Sequence, residues 1–136
     1  MPTDSTNWAN VLRILAITVI IDGRVREAEL AAFVEHAQGM SPLCGQTDVT
    51  KEWLQDWYDK NKKGIMNEMD GRGKNTTILK AFATVKDDAI RESLFDAIIH
   101  IAVSDKEYHE SESDLVRSAA AIWGFVRPPI KVFRPG

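Results

Sequence analysis

The chain has 136 residues, 44% hydrophobic and 27% charged, with 17 basic against 20 acidic side chains and a formal net charge of -3. These values fit one globular domain that buries its own core, and they exclude disordered, collagen-like and disulfide-stapled chains. The acidic balance disfavours nucleic acid as a partner, and the lone Cys44 can build neither an internal disulfide nor a paired-thiol site.

Trp8, Val11, Leu12, Leu15 and Val19 recur at helical spacing while Ile14, Ile17, Ile20 and Ile21 fill the other faces, which predicts a first helix buried on most sides. Its apolar run is far shorter than the ~20 residues that cross a bilayer. Asp4 also stands where a signal peptide carries positive charge. The chain therefore reads as cytoplasmic, with no direct membrane insertion. After the tight turn Asp22-Gly23-Arg24, Leu30, Phe33, Val34 and Ala37 mark a second helix closed by Gly39 and Pro42, so the first two helices form a hairpin.

Trp53, Leu54, Trp57 and Tyr58 give a third helix, with Asn61 to Gly64 as a polar interruption before Ile65, Met66 and Met69. Asp70 to Asn75 reads as a loop, and Asn75 or Thr76 as the cap of a fourth helix carrying Ile78, Leu79, Phe82 and Val85. A fifth helix starts near Asp87 or Asp88 and is apolar on most faces from Ile90 to Val103, making it the second central helix. Leu115, Val116, Ala119, Ile122 and Trp123 define a sixth, ended at Gly124, and Arg127-Pro128-Pro129 sends the remaining tail out extended. No segment alternates as a strand does. The expectation is an all-α bundle of about six to seven helices.

Self-comparison shows an ungapped repeat. Ile20 to Glu29 aligns with Val103 to Glu112, and Asp22 to Asp105 and Glu29 to Glu112 are both 83 positions apart. In each copy an apolar helix runs into an aspartate, a turn follows, and a glutamate falls seven residues later at the start of an amphipathic helix. The domain thus divides into repeat halves at about 8–39 and 88–124, related by an approximate two-fold axis, with middle helices at about 50–86 and a tail at 125–136.

Asp22-Gly23 with Glu29, and Ser104-Asp105-Lys106 with Glu112, resemble the paired alanine-aspartate-glycine turns and following glutamates of the TerB-like domain. That domain occurs in tellurite-resistance proteins and in the amino-terminal region of the co-chaperone DjlA. The likeness runs from about Val11 to Trp123, with Ser41 to Asn75 adding little. The second copy keeps the acidic positions but lacks the alanine and the glycine. The resemblance implies an all-helical fold and a divalent metal ion (Ca, Mn, Mg or Zn) held by Asp22, Glu29, Asp105 and Glu112. Lys106, beside Asp105, counts against that second half-site.

The same residues have a plainer use. With Arg26 as N-cap, Glu29 lies three residues into the helix, where its carboxylate can bond back to the cap N–H, and Val25 and Leu30 take the staple positions. Glu112 repeats this after His109, and Ser113 replaces the staple residue. Caps are common and ion sites few.

Other constellations are weaker. No aspartate has the acidic and glycine spacing of a calcium loop, and no histidine pair among His36, His100 and His109 has the spacing of a zinc protease. His100 reads as a core histidine within reach of the acidic cluster. Cys44 and His36 lack the oxyanion donor and orienting group of a nucleophile site. Trp53, Trp57 and Tyr58 beside Lys60, Lys62 and Lys63 resemble a base-stacking platform, but the intervening acids and the helical spacing favour a core stripe. From Thr84 to Asp114 the chain carries nine acids against Lys86, Arg91 and Lys106, while the tail is basic.

The resemblance implies a non-catalytic binding or scaffold module in tellurite or general stress response. The alternatives are a metal-free protein-interaction module using the acidic second repeat, with a protein partner or a homodimer, and, least favoured, a small hydrolase-type enzyme.

Overall fold

A computed structural model describes residues 5–21, 27–70, 74–104 and 110–125. Its six α-helices are α1 (Ser5–Ile20), α2 (Glu27–Met40), α3 (Lys51–Glu68), α4 (Lys74–Thr84), α5 (Asp88–Val103) and α6 (Glu110–Trp123), with a short 3-10 helix at Ser41–Cys44. No strand occurs among the described residues. The two most apolar helices, α1 and α5, pack against each other and carry much of the core. Val11, Leu15, Ala16 and Val19 of α1, and Leu94, Ala97, Ile98, Ile101 and Ala102 of α5, are wholly buried. Burying one such aliphatic side chain contributes about 1.5–3 kcal/mol, which explains why these stretches lie at the centre.

Local chemistry sets the helix ends. Thr50 Oγ1 accepts from the Trp53 N–H at 3.0 Å and opens α3, while Asp87 Oδ1 accepts from the Ile90 N–H at 3.1 Å and opens α5 where the sequence predicts it. Past the end of α6, Gly124 adopts φ 77°, and the Phe125 N–H reaches back to the Ala120 carbonyl at 2.9 Å. This is a glycine-closed helix end.

Three expected breaks fall elsewhere. Gly39 does not close α2, because buried Ala37 and Met40 hold the helix through it; the chain turns at Pro42 inside the 3-10 helix and ends at Gly45, φ 71°. Asn61 to Gly64 does not interrupt α3, since buried Ile65 and Met69 anchor the far side and a helical glycine costs only about 1 kcal/mol. Asn75 and Thr76 lie within the first turn of α4 rather than capping it. The tail beyond Phe125 lies outside the described residues.

The repeat is visible in the helices. Ser5 to Asp88, Ile20 to Val103, Glu27 to Glu110 and Met40 to Trp123 are each 83 positions apart, so every boundary of α1 and α2 recurs in α5 and α6. The packing does not repeat in the same way. α2 lies extensively against α5, whereas α6 has no comparable contact with α1, and α4 touches both of them instead. The expected two-fold relation therefore does not extend to the helix contacts.

Candidate functional site

Glu29 is the third residue of α2 and Glu112 the third of α6, and both are 0% exposed. A first-turn carboxylate is favoured by the exposed N–H groups and dipole of the helix start. Complete burial is another matter. Removing a carboxylate from water costs several kcal/mol, whereas a helix cap returns only about 1 kcal/mol. Both glutamates have interaction partners. Asp22 and Asp105, together with Val25, Arg26, Tyr108 and His109 of the capping arrangement, lie outside the described residues. Among the described residues no group of three histidine, cysteine or acidic side chains is arranged to hold an ion.

The structure adds one neighbour that sequence reasoning assigned only to the core. Tyr58 of α3 is 2% exposed and packs on Phe33 of α2, ring centroids 5.7 Å apart. Burial pushes its hydroxyl pKa upward, helped by the charges of Asp59 and Glu29. Among the described residues its hydroxyl has no hydrogen-bond partner. Nothing in the spacing of Trp53, Trp57 and Tyr58 distinguishes the residue that faces the first-repeat glutamate. The stripe itself divides. Trp57 packs on Phe33 at 6.2 Å, while Trp53 is 47% exposed and stacks on Trp8 at 6.2 Å, so only part of the expected core face is covered.

His100 is not a core histidine. It is exposed on α5, and its Nδ1 lies 3.2 Å from Nε2 of His36 on α2, because α5 buries its aliphatic faces against α1 and α2 and leaves the 88, 92, 96, 100 row to solvent. Burial and His100 lower the pKa of His36, partly offset by Glu35 and Asp96. Cys44 is buried, and burial with the Asp87 charge pushes its thiol up to about 11. A reactive cysteine needs the opposite shift.

The geometry defines a small helical domain in which two equivalent helices each carry one wholly buried glutamate in the first turn. Residues 9–128 match the family model described as Tellurite resistance protein TerB, and the chain belongs to that family. No curated protein and no solved structure matches it. No helix among the described residues is long and apolar enough to cross a membrane.

Proposed function

We propose that this domain is a non-catalytic binding and scaffold module of tellurite or general stress response, organised by one divalent cation between its two repeats. Asp22, Glu29, Asp105 and Glu112 would hold the ion. An all-carboxylate set suits calcium, magnesium or manganese, and zinc accepts carboxylate oxygen as well. The observation that carries the reading is the burial of both Glu29 and Glu112 at matching helix positions. Beside the partners each carboxylate already has, a cation would add to what offsets the desolvation of two buried charges. The ion would supply a structural link between the repeats.

Thermal unfolding of metal-stripped protein with added calcium, manganese, magnesium or zinc tests this. Free metal at 100 times its Kd adds about 2.7 kcal/mol, which for a domain of this size raises Tm by roughly 10 °C. No rise at millimolar metal, or an equal rise in Asp22→Asn/Asp105→Asn protein, would overturn the proposal.

A second reading rests on Asp88, Glu92 and Asp96, which are all exposed and spaced four residues apart along α5. Such a row favours a basic protein partner, captured without metal through contacts that weaken as salt rises. Partner binding insensitive to ionic strength would remove it.

A further inference from the structure

His36 and His100 stand on different repeats, one on α2 and the other on α5, and meet at the surface where these helices pack. The two rings share a hydrogen bond between Nδ1 of His100 and Nε2 of His36, 3.2 Å apart, and the ring centroids are 5.0 Å apart with the planes inclined by 50°. A straight N–H···N bond of that length would place the centroids about 5.5 Å apart, each nitrogen lying about 1.15 Å from its ring centre. The two rings are therefore not in line. Two imidazoles bound to one tetrahedral ion at about 2.05 Å hold their nitrogens about 3.3 Å and their centroids about 5.2 Å apart. The observed pair lies within a few tenths of an ångström of both distances.

We propose that His36 and His100 form a two-imidazole site for a borderline transition metal, copper(II), nickel(II) or zinc(II), which clasps α2 to α5. Imidazole nitrogen suits these ions and not calcium or magnesium. His100 is exposed and His36 half-buried, so an ion reaches them from solvent and water completes its coordination. Glu35 and Asp96 add negative charge around His36, which favours a cation there. The site is independent of the carboxylates Glu29 and Glu112, which prefer hard cations.

The test uses the full chain without a histidine tag, titrated with copper(II), nickel(II) and zinc(II) by calorimetry and followed on the imidazole resonances of all three histidines. The expected result is one copper(II) or nickel(II) ion per chain, and one zinc ion at this pair whether or not the carboxylates take a second, with copper bound most tightly, His36 and His100 signals perturbed and His109 unchanged. His36→Asn and His100→Asn should each weaken binding at least ten-fold while helical content by circular dichroism stays the same. His109→Asn and Glu29→Gln/Glu112→Gln should bind as before. Binding that survives in the His36→Asn/His100→Asn double variant, follows His109, or is absent at millimolar metal overturns the proposal. Loss only in the glutamate variant would assign the ion to the carboxylates instead.

Discussion

The two hairpins, α1 with α2 and α5 with α6, have the same helix boundaries and the same buried glutamate, yet they solve different packing problems. The first is covered by α3, whose Trp57 and Tyr58 close over Phe33. The second is covered by α4 on its α6 side, where Phe82 and Trp123 meet edge to face at 5.0 Å and the Trp123 indole N–H donates to the Phe82 carbonyl at 3.0 Å. Met40 occupies the place in α2 that Trp123 occupies in α6. What recurs is thus the helix ends and the glutamates. The intervening α3 and α4 decide what each hairpin packs against, and the repeat is legible only where it is independent of them.

The strongest way to break this contrast is to truncate the equivalent residues. Trp123→Ala should cost about 4 kcal/mol, since it removes a large buried ring and takes one of two donors from the Phe82 carbonyl, leaving it the Val85 N–H. Met40→Ala should cost about 2–3 kcal/mol. Urea unfolding of both variants measures the difference, and equal losses would show that α4 adds nothing specific to the second hairpin.

The glycines near the two hairpin ends should respond with opposite signs. An added Cβ would meet nothing within 4 Å at either Gly39 or Gly124, so only backbone conformation matters. Gly124→Ala must hold an L side chain at φ 77°, at a cost of about 1–2 kcal/mol. Gly39→Ala sits inside α2 and should gain about 0.5–1 kcal/mol. Calorimetric Tm values, one lower and one higher than wild type, are the expected outcome.

A smaller effect sharpens the contrast at the surface. His36 corresponds to buried Ala119 in the second hairpin, so only the first carries a titrating group there. The folded pKa of His36 lies below the usual 6.5, through burial and His100, with Glu35 and Asp96 opposing. Between that lower value and about 6.5 the unfolded chain binds more protons than the folded one, so stability rises with pH across this window. Acidification below pH 6.5 should therefore destabilise the wild type more than His36→Gln, as read by denaturant midpoints from pH 7 to 5. Cys44 gives the smallest signal. With its thiol at about 11 and buried, alkylation at neutral pH should be slow in native protein and fast in denaturant.

The sequence carried the all-helical class because apolar spacing and the two near-continuous runs, Ile14 to Ile21 and Ile98 to Val103, are local signals. Family membership was legible from the short Asp and Glu motif, which the repeat makes visible twice. Gly39 and Gly64 misled for a shared reason. A glycine is a weak breaker, and buried neighbours such as Met40 and Ile65 outweigh it, a fact that depends on tertiary contacts. The positions of Tyr58 and His100 were illegible because each depends on which face of its helix meets α2. The asymmetry in packing was equally hidden, for a repeat in sequence says nothing about what is inserted beside each copy.

All four tryptophans stand at helix junctions: Trp8 and Trp53 stack between α1 and α3, Trp57 lies against α2, and Trp123 lies against α4. Intrinsic fluorescence is therefore not one global signal but three local ones. Variants that retain Trp57 alone, Trp123 alone, or the Trp8 and Trp53 pair would each watch a different seam open. If the three seams part at the same denaturant concentration, the two unequal hairpins still melt as one cooperative unit; if the α4 seam parts first, the half that leans on that helix is where unfolding begins.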